Sequence, residues 1–352
     1  MRLAFAPYLL RFKEPGGTSR GILTEKPTFL IKIYDESDPS RYGIGEAAVF
    51  PGLSPEADGN YVNKLLELMA NVALGIPTDL SGYSSIQLGF EQALLDFHNG
   101  CRGISFPSSF TEGNEEITIN GLIWMGDYEK MIERIEEKIS TGFHCLKLKI
   151  GAIDWDSELK MLQFIRSHYS EKDLVIRVDA NGAFTEKNAL SRLYSLYSLG
   201  VHSIEQPVKA GNIKLMAKLC QQSPLPIALD EELIGIYDEK ERARLLDEIK
   251  PSYIILKPAL CGGFSGGAEW IKLAEERGIG WWVTSALESN VGLNGIAQWC
   301  AYVKSKGPQG LGTGGVFTNN FSSPINLKGD KLRFNPSLSY DYSEFSSLTW
   351  HS

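Results

Sequence analysis

The chain has 352 residues, of which 43% are hydrophobic and 22% charged, with a formal net charge of −8. That length exceeds one ordinary core but suits a barrel of about 250 residues joined to a smaller domain. The acidic balance and the lack of a Lys/Arg-rich block exclude a nucleic-acid surface, which needs clustered cations, and leave small molecules as the expected partners.

Residues 1–10 are apolar but contain Arg2 and Pro7 and run into Arg11 without a small-residue cleavage signal, so no leader is read there. No run approaches the roughly 20 apolar residues of a membrane span, and a cytoplasmic location without a membrane partner is expected. An apolar stretch at 29–33 predicts a strand, preceded by the loop 16–21 and followed by a polar turn at 35–40. Helical periodicity over 60–74 and 86–98 completes an α+β N-terminal capping domain over 1–115.

Beyond that point strands and helices alternate. Strands are predicted at 117–124, 144–150, 174–179, 203–205, 227–230, 253–257 and 280–285, with a short piece at 310–313. Helices are predicted at 128–140, 157–168, 187–199, 239–249 and 266–277. Eight strands with intervening helices make a (β/α)8-type, modified TIM barrel over 116–319. The aromatic-rich tail 320–352 is expected to pack back on the capping domain.

Charged residues close these apolar runs: Lys147 and Lys149, Asp179, Glu205, Asp230 and Lys257. They recur about every 25 to 32 positions, roughly one βα unit, which places them around the C-terminal mouth where such barrels do chemistry. Alternation along 146–149 turns both lysines inward and leaves the leucines for the helix layer. Two ammonium groups in one confined site are expected to depress each other's pKa, leaving a base available near neutral pH.

Asp179, Glu205 and Asp230 could each cap the following helix, but their shared strand-end position in consecutive units favours convergence on one point. Three unpaired carboxylates repel, and a cation resolves the repulsion; an all-oxygen set without His or Cys favours Mg²⁺, with Mn²⁺ able to substitute. Asn181 points the same way as Asp179 and can support the metal or a substrate oxygen. Lys257 lies across the barrel from Lys149, so a substrate between them would undergo proton chemistry at a carbon held over the metal. At about 4 Å and an effective dielectric near 20, each charge pair offers roughly 4 kcal/mol to a developing enediolate.

The remaining motifs are structural. The glycine clusters 261–267 and 310–315 lack the G-x-G-x-x-G context of a dinucleotide loop and are read as tight turns with N–H groups open to an anion. The five cysteines are scattered without a C-x-x-C pair and are expected to be reduced and mostly buried, and none of the five histidines has metal-ligand spacing.

Lys147-Leu-Lys149, Val178-Asp179-Ala-Asn181-Gly182, Ile204-Glu205-Gln-Pro207, Ala228-Leu-Asp230-Glu231 and Leu256-Lys257-Pro258 together resemble the enolase superfamily, muconate-lactonising subgroup. The resemblance covers nearly the whole chain. It implies a Mg²⁺ site at Asp179, Glu205 and Asp230, with Lys149 and Lys257 as catalytic residues on opposite faces of an enolised carboxylate. Within the subgroup the chain is similar to enzymes that dehydrate a cyclohexadiene carboxylate to an aromatic precursor of menaquinone; the cues are Ser19-Arg20-Gly21, the segment 284–290 and Gly310-Leu-Gly312-Thr313. In these enzymes Lys149 would act as base and then acid, and Lys257 would stay cationic.

The Asp-x-Asp pair of the subgroup's dipeptide epimerases is absent, because Gly312-Thr313-Gly314 stands in its place. The expected substrate is a small dicarboxylate, contacted by Lys147, Asn181, Ser285, Ser289, the N–H groups near Gly312, and Arg20, with the 50–52 loop closing above. N-succinylamino acid racemisation uses the same metal and both lysines. A barrel that only binds a carboxylate would need no base.

Overall fold

The computed structural model describes every residue except Ser19, Arg20 and Met125. The predicted contact at Arg20 lies outside the described residues. A long antiparallel sheet opens the chain: β1 (Arg2–Thr18), β2 (Gly21–Asp35) and β3 (Asp38–Ala47), in that order. The 29–33 prediction marks only the apolar centre of β2, whose first five residues are exposed or half-buried. Helices α1 (Tyr61–Leu74) and α2 (Ser84–His98) bury Leu65, Leu68 and Ile86 against Leu3, Phe5, Ile31 and Ile33. Helix α2 lies unusually close to β3 because Gly89 has no side chain; a Cβ there would sit 2.7 Å from the Ala47 nitrogen.

The predicted strand 117–124 is two short strands with different partners. β4 (Glu116–Thr118) pairs antiparallel with the tail, and β5 (Gly121–Ile123) starts the parallel sheet. There follow α3 (Tyr128–Ser140), β6 (Cys145–Lys149), α4 (Trp155–His168), β7 (Val175–Asp179), α5 (Ala189–Ser198), β8 (Ser203–Glu205) and α6 (Ile213–Gln222). The alternation continues through β9 (Ile227–Leu229), a 3-10 turn (Glu231–Leu233), α7 (Glu239–Ile249), β10 (Tyr253–Leu256), α8 (Gly263–Glu275), β11 (Gly280–Val283) and α9 (Asn290–Tyr302). Among the described residues, β5 to β11 form a seven-stranded parallel sheet in chain order.

The expected eighth strand at 310–313 does not form. Single bridges close the ring instead, Thr284 to Gly310 on one side and Ile119 to Gln309 on the other. The Ser285 nitrogen donates to the Gly310 carbonyl and the Asn120 nitrogen to that of Gln309. Glycines at 310, 312, 314 and 315 offer no side chains to pack and lose the most entropy in a strand, so two bridges are all this segment sustains.

The register turns a fixed set of side chains inward. Arg177, Tyr253 and Trp282 fill the floor, with the Arg177 guanidinium 4.1 Å from the Trp282 ring centre. One layer up come the lysines and carboxylates. Leu146, Leu148, Val178 and Ile254 point outward into the main core beneath the helices. In the tail, β12 (Ile325–Lys328), β13 (Lys331–Phe334) and α10 (Tyr342–Ser346) follow, with β13 pairing β4. Phe321, Tyr340 and Phe345 pack on Leu30 and Ile44 of the opening sheet. Among the described residues no helix is long and apolar enough to cross a membrane, and the five cysteines are unpaired.

Candidate active site

Strand register assembles the site. Lys149 stands beside Asp179, Asp179 beside Glu205, and Glu205 beside Ala228. Neighbours in register share a face, so these three charged side chains enter the barrel side by side, and Asp230 joins them two positions beyond Ala228. Lys257 follows the last residue of β10. The capping alternative does not hold: the N-cap positions of α5, α6 and α7 are Asn188, Asn212 and Asp238, and Asp230, ahead of the 3-10 turn, makes no side-chain cap bond.

The three carboxylates are almost completely buried and meet three ammonium groups. Lys147 Nζ lies 3.0 Å from Asp179 Oδ2 and 2.5 Å from Glu205 Oε2. Lys149 Nζ lies 2.6 Å from Asp179 Oδ2 and donates to Asn181 Oδ1 at 2.6 Å. Lys257 pairs with Asp230. Burial of an ion is tolerated only with such compensation.

The charges shift one another in opposite directions. Burial alone would lower Lys147, yet Asp179 and Glu205 outweigh it and hold its pKa above the usual lysine value. At Lys147 this corrects the expectation of a depressed lysine, because its carboxylate neighbours raise it. Burial is likewise overcome at Lys257 by Asp230 and at Asp230 by Lys257, so the lysine is raised and the acid lowered. At Asp179 the two lysines overcome burial and hold the carboxyl low. Glu205 is the exception, since burial and then Asp179 push it well above the carboxylate range.

Among the described residues, no three metal-ligating side chains are gathered closely enough to hold an ion; the lysines stand against the carboxylates. The donor set nevertheless fits a hard divalent cation. It is all oxygen and fully buried, and Glu205 Oε1 has no hydrogen-bond partner.

Above this layer opens a cavity of about 810 Å³, including the space open to solvent at its mouth. Lys147, Lys149, Asn181, Lys257, Ser285 and Gly312 all line it. The Ser285 and Thr313 hydroxyls are 2.7 Å apart. Ser289 does not reach the cavity: it caps α9, donating to Glu46 Oε2 at 2.5 Å while accepting from the Val291 nitrogen. Capping satisfies a helix N–H that would otherwise be buried unpaired, and that need turns the hydroxyl away from the mouth.

Sequence reasoning missed several wall residues, among them Leu53, Leu122, Trp124 and Leu287. It also missed Gln206, whose side chain accepts from the Asp230 and Glu232 nitrogens and donates to Glu232 Oε2 and the Val208 carbonyl. Gln206 adopts φ +40 and Asn181 φ +44, conformations uncommon outside glycine. For Gln206 the only hint was position, directly after the strand-end Glu205. Glu231 was quoted in a motif without a role; its Oε1 accepts from Asn181 Nδ2 at 3.0 Å.

Comparison with known proteins agrees with this geometry. The chain is 44% identical over 367 aligned positions to the o-succinylbenzoate synthase of Desulfotalea psychrophila, covering 94% of this chain and 98% of that one. It is 25% identical to the N-succinyl-L-Arg/Lys racemase of Bacillus cereus, over 80% of this chain and 78% of that one. The crystal structure of MenC from Desulfotalea psychrophila superposes with a TM-score of 0.84 at 40% identity, covering 95% and 99% of the two chains. Residues 130–323 match the family described as Enolase C-terminal domain-like. Sequence and architecture agree: this chain belongs to the enolase superfamily.

Proposed function

We propose that this chain is an o-succinylbenzoate synthase, converting 2-succinyl-6-hydroxy-2,4-cyclohexadiene-1-carboxylate to 2-succinylbenzoate by syn loss of water in menaquinone biosynthesis, in the cytoplasm. The observation that carries the reading is the 44% identity to such a synthase across nearly the full length of both chains. Both lysines a dehydration needs also open on one cavity.

In this reading Asp179, Glu205 and Asp230 would hold Mg²⁺, which would offset the negative charge developing on the substrate carboxylate. Lys149 takes the proton from the carbon bearing that carboxylate. The electron pair of the broken C–H bond forms the new ring double bond as the C–O bond breaks, and the Lys149 ammonium gives its proton to the departing hydroxide. Water leaves, and the lysine returns to its starting state. Acid and base on one face account for a syn outcome with one residue.

Lys257, on the other side, stays protonated and stabilises the negative charge by proximity. Lys147 sits deepest, between Asp179 and Glu205, and keeps the two carboxylates from repelling each other. Asn181 braces the Lys149 ammonium. Ser285, Thr313 and the Gly312 backbone receive the succinyl end, and Phe50 and Leu53 exclude water above it.

Incubating the protein with the cyclohexadiene carboxylate and Mg²⁺ and following the aromatic product's absorbance tests the reading. Absence of turnover in folded, metal-saturated protein refutes it. A second activity, racemisation of N-succinylamino acids, is favoured by the placement of Lys149 and Lys257 on the same cavity; exchange of the α-proton in deuterated water reports it.

A further inference from the structure

A second buried charge cluster lies outside the metal and lysine layer. Lys26 on β2 is 2% exposed, and its ammonium has no hydrogen-bond partner among the described residues. The carboxylates acting on it are Glu46 of β3 and Glu288 of the segment after β11, both completely buried. A lysine ammonium carries three donors and is rarely fully buried. Leaving it so costs far more than replacing it with an apolar chain, unless its charge does something for the groups around it.

Those groups hold one wall of the cavity. Glu46 reaches from the capping sheet into the barrel. Its Oε1 accepts from the Thr28 hydroxyl at 2.8 Å and the Ser289 nitrogen at 3.0 Å, and its Oε2 accepts from the Ser289 hydroxyl at 2.5 Å and the Gly292 nitrogen at 2.9 Å. These last donors belong to the first turn of α9, where a carboxylate also complements the helix dipole.

Glu288 Oε2 folds back to accept from the Ala286 nitrogen at 2.7 Å, closing a tight loop. Between them Leu287 is forced to φ +62, a conformation that is strained for a branched side chain. The strained turn aims Leu287 into the cavity wall beside Phe50, with Ser285 two residues earlier on the same wall. Lys26 Nζ lies 5.9 Å from the Phe50 ring centre and acts electrostatically on Glu46 and Glu288, so one cation stands between the two halves of this wall. Burial pushes the Glu288 carboxyl up to about 7, with Lys26 opposing the rise. Without that ammonium, the two acids would face each other uncompensated.

We propose that Lys26, Glu46 and Glu288 act together as positioning residues for substrate selection, fixing from the capping sheet the segment that presents Ser285 and Leu287 to the end of the substrate remote from the metal. This rests on the dehydration reading above. None of the three touches the reacting atoms, so their loss is felt in binding more than in the chemical step.

Steady-state kinetics on Lys26→Met and Glu288→Gln tests it. Expected is a rise of about tenfold in KM for the dicarboxylate, with kcat falling less than about threefold and Mg²⁺ affinity unchanged. The Lys26→Met/Glu288→Gln double variant should lose no more than the worse single one, because the residues act as a unit. Gly292→Ala is an independent probe, since its Cβ would lie 2.8 Å from Glu46 Oε2; it should raise KM in the same sense. If Lys26→Met does not fold, Thr28→Val and Ser289→Ala each remove one hydroxyl donor to Glu46 and should raise KM about threefold. Folded variants with lower thermal stability but wild-type KM would reduce the cluster to a structural role and overturn the proposal. A wild-type protein that does not turn over the dicarboxylate would instead sink the dehydration reading, and this proposal with it.

Discussion

The ammonium of Lys149 lies 2.6 Å from Oδ2 of Asp179, so the proposed base and a proposed metal ligand share one ion pair. Whatever binds Asp179 changes the partner of Lys149. In the proposed mechanism, metal loading and proton transfer would thus be coupled through one pair of atoms.

The first prediction follows from that pair. Chelation should abolish turnover, and Mg²⁺ or Mn²⁺ should restore it. Asp179→Asn, Glu205→Gln and Asp230→Asn should each weaken metal binding, measured calorimetrically, and lower kcat by at least about a thousandfold. Unchanged metal affinity in all three would remove these residues from the site.

Lys149→Ala should cost dehydration about a hundredfold to ten-thousandfold or more, the usual worth of a positioned acid-base group, and should also stop α-proton exchange of N-succinylamino acids. Lys257→Arg keeps a cation but not a removable proton. It should retain some dehydration while losing racemisation. Equal residual rates in the two assays would contradict the assigned roles.

At the remote end, Ser285→Ala should raise KM for the dicarboxylate by about three- to tenfold, the scale of one lost hydrogen bond. Arg20→Ala is expected to do the same. Unchanged kcat/KM in both variants would place the succinyl group elsewhere.

Gln206 is the next test, because its side chain joins the ends of β8 and β9 through four hydrogen bonds. Gln206→Leu leaves those buried partners unpaired and should destabilise the fold by about 2 to 4 kcal/mol in urea titrations. It should also weaken metal binding, since Asp230 loses its backbone anchor. Wild-type stability would show that water or a neighbour replaces the brace.

The pH dependence of stability has a defined sign at Glu288. Its folded pKa of about 7 lies above that of an unfolded glutamate, through burial first. The folded state therefore keeps a proton that the unfolded state loses, and this site's contribution is complete below about pH 4, falls between there and pH 7, and is flat above. Thermal unfolding across pH 4 to 8 should show Glu288→Gln flattening that slope. An identical pH profile in the two proteins would remove the assignment.

The helices α3 and α7 have the bounds predicted from sequence because each couples an amphipathic period to an aspartate cap, Asp127 and Asp238. The strand-end lysines and acids were legible because parallel strands read as short apolar runs closed by a polar residue. By contrast α9 was missed. Its residues from Val291 to Cys300 are all buried, so no polar face marks a period. The direction of Ser289 and the meeting of Lys26 with Glu288 depend on contacts across more than 200 positions, for which a single sequence carries no local signal.

The ring of strands is completed by main-chain bridges at Gln309 and Gly310 where an eighth strand was expected, and this has a consequence for selectivity. That sector of the mouth presents peptide groups, glycine hydrogens and the single Thr313 hydroxyl, so apart from Thr313 point substitutions have little to alter there except by adding bulk. A Cβ at Gly312 would meet only Ile119 and Asn120, at 3.6 and 3.8 Å, and would narrow the entrance without disturbing the ring. Refitting this enzyme to a larger or smaller acyl group would therefore act through the length of this segment and through residue 312, leaving the proton-transfer layer as it stands.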